Sequence, residues 1–520
     1  MALIINWRGV ILDTEPERAR PQFQGPANSS RLPGDSSHTL PMFNVRSSLL
    51  LLLPLATASA DTHWPQFRGP GATGVAAEGK PPAEFGPDKA LAWKAPAGEG
   101  ISSPVVWGER VFITGAEDRK PRIICLSRKD GSRLWTHELP AVPQETVHRT
   151  SHPVSATPAT DGQRVIGYFP GTGLVAWDME GKELWRNELE RPFVVNGNGT
   201  SPIIAGERVF LCCDQQGGKS FLLAVDATTG KTLWQMLRPL AVSSYTTPVI
   251  WKRGGSEDLI VSGSLKVTGY NPADGTERWS TGGTEAVSVC PTPVTGNGKL
   301  YIMSRSFGEA PAPAGLEGLL LIADKDKSGG LSREETPFFQ KDGVYDFIDT
   351  SRDGSITADE LKATTAHMKG SDFGLFALND PGTATGSLGE EHTAWKHRKG
   401  TAKVATPLLY EDRLWVVADG GMVTCTHAQN GEAIFERQRL GGKAGGDYYS
   451  SPVAADGRIY LCSTSGVVSV LETGDTLKVT HTAELGAPIL ATPAISGGLL
   501  LVRSGAELLA FGSASPSGQN

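Results

Sequence analysis

Cysteine is scarce and unpatterned. Six residues in 520, at positions 125, 212, 213, 290, 425 and 462, form no C-x-x-C pair, no C-x-x-C-H haem attachment and no zinc-ligand spacing. That excludes a disulfide scaffold or a zinc-folded domain. Most of the six lie in apolar runs, such as Ile123-Ile124-Cys125-Leu126 and Ile459-Tyr460-Leu461-Cys462, where a thiol behaves as a small buried hydrophobe. Neighbours in a strand point to opposite faces, so Cys212 and Cys213 are expected one in and one out rather than joined as a vicinal disulfide. Basic charge is not in excess either: Lys+Arg 49 against Asp+Glu 56 leaves a net charge of −7, which favours neither nucleic acid nor an anionic membrane as partner.

Long apolar runs are missing as well. The one apolar stretch of note, Leu49 to Leu55, is too short to span about 30 Å of hydrocarbon. With Met42-Phe43-Asn44-Val45-Arg46 before it and Ala58-Ser59-Ala60 after it, it reads as a signal peptide over 42–60, cleaved before Asp61. Residues 1–41, rich in Pro and Ser, read as a disordered extension, with Met42 the expected translation start. No Cys follows the cleavage site, so export to the periplasm or beyond is expected without a lipid anchor.

What the chain has in abundance is Gly (62) and Pro (35), close to one residue in five against about one in eight on average. With 39% hydrophobic residues it can still bury a large core, so a turn-rich globular protein is expected. The turns recur. Ser/Thr-Pro followed by an apolar strand occurs at Ser103-Pro104, Thr157-Pro158, Ser201-Pro202, Thr247-Pro248, Thr292-Pro293, Thr406-Pro407, Ser451-Pro452 and Thr492-Pro493. Successive prolines lie 54, 44, 46, 45, 114, 45 and 41 residues apart. Each unit continues through a Gly-containing turn, a second strand, and a third strand running into a turn such as Asp226-Ala227-Thr228-Thr229-Gly230, after which Trp234 falls in a fourth strand. Four short antiparallel strands per 40–50 residues make a propeller blade, and Pro is tolerated at a strand start where no N–H is needed. The closing-strand residues Trp93, Trp135, Trp185, Trp234, Trp279, Trp395, Phe435 and Val479 count eight blades. Trp93 precedes the first unit and the last unit lacks a fourth strand, so the N-terminal strand is expected to complete the last blade. The fold class is all-β: an eight-bladed β-propeller.

The Asp226-to-Trp234 pattern resembles the tryptophan-docking repeat of the pyrroloquinoline-quinone (PQQ) propeller superfamily. Trp64-Pro65-Gln66-Phe67-Arg68-Gly69-Pro70 resembles the opening segment of PQQ-like, BamB-like secreted propellers of planctomycete-type bacteria. The resemblance covers about 64–512 and implies a quinoprotein-like fold. It does not imply one function, because the superfamily includes quinoprotein dehydrogenases and outer-membrane assembly scaffolds.

The long proline gap falls in the fifth blade and holds two calcium-loop patterns. The first is Asp324, Asp326, Ser328, the Gly330 carbonyl, Ser332 and Glu335, with Gly329 at the bend; the second is Asp349, Ser351, Asp353, the Ser355 carbonyl, Thr357 and Glu360, with Gly354 at the bend. Ca²⁺ wants six to eight oxygens, and short side chains converge on it only around such a turn. Position 8 is apolar in both loops, Leu331 and Ile356, as needed for the two to pair back to back. Two bound Ca²⁺ are therefore expected, in an EF-hand pair over 309–375. The remaining boundaries are a lead segment 61–90, blades over 91–308 and 376–512, and a tail 513–520.

Residues preceding each Ser/Thr-Pro strand should reach the mouth of the central funnel: His148, Arg149, His152, Asn196, Asn198, Tyr245, Lys403, Asp447, Tyr448 and Tyr449. Two functions follow. One is a non-catalytic exported module that binds a protein or small-molecule ligand at this face. The other is a PQQ-dependent oxidoreductase of alcohols or sugars, which needs a Glu/Asn/Asp metal set and a catalytic Asp at the funnel; no motif places them.

Overall fold

Each Ser/Thr-Pro unit folds into one four-stranded antiparallel sheet. In the computed structural model, which describes residues 63–513 except 142–147, 149, 195, 217, 239–240, 243, 287, 306–315, 317, 340–343 and the side chains of Phe338 and Val344, eight such sheets form the blades of a propeller. The extension, the signal segment and the tail beyond Ser513 lie outside the described residues. Blade 1 comprises Val105–Trp107, Arg110–Glu117, Lys120–Ser127 and Arg133–Glu138, from the axis outward. Blades 2, 3, 4, 6 and 7 repeat this pattern over 159–187, 203–237, 249–281, 408–439 and 453–484. Blade 8 takes three strands from 494–512, and Leu91–Pro96 pairs antiparallel with Glu507–Gly512 as its outermost strand, so the two ends of the ring are laced into one sheet.

A sheet buried on both faces explains the near-continuous apolar second and third strands. It also corrects the expectation for the adjacent thiols. Cys212 and Cys213 do point to opposite faces, but both faces of a blade are interior: Cys212 packs with Phe210 and Leu259, Cys213 with Tyr168 and Leu211, and both are buried.

Two hydrogen-bond systems bind blade to blade. Near the axis, the backbone N–H of seven of the eight repeat Ser/Thr residues donates to the hydroxyl of the corresponding residue in the next blade: Ser103 to Thr157, Thr157 to Ser201, Thr247 to Thr292, Thr292 to Thr406, Thr406 to Ser451, Ser451 to Thr492, and Thr492 back to Ser103, at 3.0–3.2 Å. At the rim, each indole docks on the next blade's turn. Trp93, Trp135, Trp185, Trp234 and Trp395 donate Nε1–H to the carbonyls of Arg128, Met179, Ala227, Pro272 and Ala428. The ring then lies flat on the turn glycine, whose φ is positive. A Cβ on Gly230 (φ 70°) would stand 2.4 Å from Trp185 Cε3. Gly230→Ala is expected to cost about 2 kcal/mol, from the left-handed backbone plus overpacking, read as a lowered denaturation midpoint at unchanged m-value. Trp279 departs from the pattern: it bonds Asp258 of its own blade at 2.7 Å, and its edge pairs in parallel with an added strand, Gly386–Ser387.

The segment after His63 is more than a lead. Trp64 pairs with Val106 of blade 1, the Pro65 carbonyl accepts from Thr160 of blade 2, and Ala76 and Gly74 pair with Ala454 of blade 7. Between these, Arg68 is fully buried and donates to the carbonyls of Ala72, Thr73, Thr406 and Pro407. Contacts with blades on opposite sides of the ring carry this segment across the axis, where Phe67 meets the central cavity.

Blade 5 is built from Val294–Gly296, Lys299–Ser304, Gly374–Asn379 and Thr393–His397. Its third strand begins at Gly374, two residues before the boundary expected at 376. The chain between its second and third strands forms helices α1 (Gly318–Ala323), α2 (Val344–Ile348) and α3 (Ala358–Met368). Ala323, Leu331, Tyr345, Ile348, Ile356 and Leu361 make a small core of their own.

Candidate functional site

The axis of the ring holds a cavity of about 730 Å³. Its wall is made by the repeat hydroxyls Ser103, Thr157, Ser201, Thr292, Thr406, Ser451 and Thr492, all at most 3% exposed. Of the residues expected at the funnel mouth, His148, Asn196, Asn198, Tyr245, Lys403, Asp447 and Tyr449 line this cavity. Two do not. The Tyr448 side chain turns into the blade core, where its hydroxyl donates to the Ala444 carbonyl at 2.8 Å, because alternation sends neighbours 448 and 449 opposite ways. His152 faces Glu99 at 3.9 Å and takes a hydrogen bond on Nδ1 from the Val154 N–H; burial, with the Arg503 charge second, lowers its pKa. Arg149 lies outside the described residues.

Sequence reasoning missed several lining residues. Glu285, Ser288 and Cys290 precede Thr292 just as Tyr245 precedes Thr247, so the same positional rule could have found them. Phe67, Met368 and Ser371 come from the crossing segment and from the insertion, and only long-range packing brings them there. Glu285 is buried and accepts from the Ser288 N–H, while Lys403 pairs with Asp419 at 3.3 Å. Asn196 donates to the Tyr245 hydroxyl at 3.0 Å, fixing both side chains in the wall.

The insertion docks on the same mouth. His367 Nε2 meets the Ala286 carbonyl at 2.8 Å, Ser371 Oγ accepts from the Ala286 N–H, and the Asp372 N–H donates to Thr284. From its other end Arg352 stacks over the Phe193 ring at 3.4 Å, next to the 196–199 loop. Helix α3 thus runs from the second acidic loop to the cavity wall.

The two acidic loops pair antiparallel through Leu331 with Ile356 and Gly330 with Thr357. The Tyr345 hydroxyl sits between the Leu331 and Gly354 carbonyls, at 2.8 and 2.7 Å. In the first loop, one carboxylate oxygen from each of Asp324, Asp326 and Glu335 lies within 4.8 Å of the others. Glu335 accepts from the N–H groups of Ser332, Lys325 and Asp326 and from the Ser332 hydroxyl, and the Ser332 and Lys325 N–H groups hold its carboxyl down to about 2. Ser328 donates its N–H to Asp324 and Asp326, and its hydroxyl to the Gly330 carbonyl. In the second loop, Asp349 accepts from Ser351, Arg352 and Gly354, Asp353 accepts from Ser355, and Glu360 accepts from Ser351 and Thr357. Asp349, Asp353 and Glu360 are not gathered within 4.8 Å as the first set is. Glu360 also closes a capping box with Thr357 at the start of α3.

A quinone cofactor fits this axis poorly. PQQ is a planar tricarboxylate and needs cationic partners and a metal. Among the described lining residues the charged groups are Lys403, Glu285 and Asp447, and Lys403 is already paired. The described residues gather three metal-ligating groups at Asp324, Asp326 and Glu335, in the insertion, and not at the cavity.

Residues 119–310 match the family model described as outer membrane protein assembly factor BamB. No curated protein sequence matches the chain. Among solved structures it is similar to a europium-containing methanol dehydrogenase, with TM-score 0.53 and 11% identity over 86% of this chain and 90% of that one. It is similar also to the quinohemoprotein alcohol dehydrogenase of Comamonas testosteroni, with TM-score 0.50 and 11% identity over 89% and 82%. A computationally designed protein, Ika8, aligns with TM-score 0.51 and 8% identity over 81% and 99%. At such identities the likeness is one of fold.

Proposed function

We propose that this is an exported, calcium-binding, PQQ-like propeller that acts as a non-catalytic binding module, taking a ligand in its axial cavity. The observation that carries this reading is the cavity's construction: a ring of hydroxyls, one end crossed by the 64–76 segment, and a wall completed by α3 of the insertion. Two EF-hand loops hold Ca²⁺ through Asp324, Asp326, Ser328, Gly330, Ser332 and Glu335, and through Asp349, Ser351, Asp353, Ser355, Thr357 and Glu360. Extracellular calcium is abundant, so sites with three acidic ligands each stay occupied and serve to order the insertion. The signal segment 42–60 supports export, and no helix among the described residues is long and apolar enough to cross a membrane.

The alternative, a quinoprotein oxidoreductase, is favoured by the likeness of fold to the two dehydrogenases and opposed by the charge of the cavity. Reconstitution with PQQ and calcium is expected to give no tight complex by absorbance and no dye-linked oxidation of alcohols or sugars. A stable, active complex would replace the binding-module reading with the enzymatic one.

A further inference from the structure

The geometry points to a neutral, polyhydroxylated ligand, a short carbohydrate chain, as the occupant of the axial cavity; this rests on the reading of that cavity as a binding site. The hydroxyls set its chemistry. Each of Ser103, Thr157, Ser201, Thr292, Thr406, Ser451 and Thr492 accepts a backbone N–H from the neighbouring blade. None of the seven donates to another described residue. A hydroxyl has one proton to give and two lone pairs, so the inter-blade ring uses one acceptor position of each and leaves seven O–H donors at the cavity wall. They face the cavity and not the protein, so their acceptors must come from whatever fills it. The site is therefore built to be filled by acceptor oxygens.

Charge decides which acceptors. A carboxylate or phosphate would meet Glu285 and Asp447, with Lys403 the one cation among the described lining residues and already paired to Asp419. Anions are disfavoured, and neutral hydroxyl and ether oxygens remain. The rest of the wall matches a sugar's two-sided character. Phe67, Ile101 and Leu490 offer apolar surface to C–H faces, whereas Asn198 and the Tyr245 and Tyr449 rings offer polar edges and flat surfaces to hydroxyl rims. The volume lies in the range that encloses small ligands rather than folded partners.

The test is titration calorimetry on the full chain in calcium, using neutral gluco-, xylo-, manno- and N-acetylglucosamine trisaccharides, with trigalacturonate as the anionic counterpart and an unstructured neutral peptide as the non-sugar probe. At least one neutral trisaccharide is expected to bind at least tenfold more tightly than trigalacturonate. Ser151→Trp, which places an indole at the cavity wall, is expected to weaken that binding at least tenfold, and Thr406→Val, which removes one hydroxyl of the ring, about threefold or more. Tryptophan-fluorescence melts confirm that each variant is folded. Absence of binding by every neutral sugar, preference for trigalacturonate, or affinity indifferent to Ser151→Trp overturns the proposal. Binding of the peptide alone, abolished by Ser151→Trp, overturns the ligand class while leaving the cavity as the binding site. Oxidation of a bound sugar in the presence of PQQ and dye would instead sink the non-catalytic reading and leave the ligand class standing.

Discussion

Chelating calcium is expected to loosen the insertion sharply while the ring stays folded. Amide exchange over 316–369 should rise by orders of magnitude, while tryptophan fluorescence, which does not report the insertion because 309–375 contains no Trp, should keep its melting midpoint within a few degrees. The argument begins with charge. Three carboxylates within 4.8 Å of one another repel, and the loop N–H groups that converge on them offset only part of that cost. A cation at about a hundredfold excess over its dissociation constant adds about 2.7 kcal/mol, so two sites add on the order of 5 kcal/mol to a unit whose own core is six side chains. The loops share the Leu331–Ile356 pairing and the Tyr345 hydroxyl, so Glu335→Gln and Glu360→Gln should each weaken calorimetric binding at both sites. Glu360→Gln should do more, because that carboxylate also caps α3, and exchange at Met368 and Ser371 of the cavity wall should rise with it. Unchanged exchange and no calorimetric heat on adding calcium would refute the calcium assignment.

That coupling between loop and cavity was not readable from residues alone, and the reasons differ from place to place. The ring was readable because closure forces the same residue types to recur: a glycine wherever an indole from the next blade lies on the turn, and an unpaired last unit that only Leu91–Pro96 could complete. The Ser/Thr-Pro repeat is visible too, but nothing in its spacing shows that the hydroxyl beside the proline joins one blade to the next. At the mouth, Tyr448 and Tyr449 are chemically alike, and which one faces the axis depends on a strand parity that loops of irregular length hide. The segment after His63 carried a motif and no clue to its path, since its contacts at Val106, Thr160, Thr406 and Ala454 are long-range. The burial of both Cys212 and Cys213 follows from blade stacking, a property of the whole ring that a single strand does not display.

Arg503→Met is expected to be the most damaging single substitution at the closure of the ring, costing on the order of 4 kcal/mol. Arg503 is 2% exposed and has no carboxylate partner among the described residues; burial pulls its pKa down to about 9, which still leaves it cationic at neutral pH. Its guanidinium donates to the carbonyls of Ala97, Gly98, Ser102 and Thr114 and to the Ser102 hydroxyl, at 2.8–3.4 Å. Those acceptors belong to the chain that leaves the outermost strand of blade 8 and enters blade 1, so one side chain of the last blade holds the start of the first. Methionine matches the bulk but leaves four carbonyls without that donor, three of them buried and each of those worth about 1–3 kcal/mol, not fully additive. Lysine keeps the charge but presents a single ammonium where a planar fork reaches several acceptors, so Arg503→Lys should recover little. The control Arg413→Met, which breaks the contact with the solvent-facing Asp475 and a hydrogen bond to the nearby Glu411 carbonyl, should stay within about 1 kcal/mol of the parent protein. Denaturant unfolding followed by tryptophan fluorescence decides this. The segment stapled by Arg503 also delivers Ile101 and Ser103 to the cavity wall, so the methionine variant should lose ligand affinity along with stability. Equal midpoints for Arg503→Met and Arg413→Met would show that the paired strand and the docked Trp93 close the ring unaided.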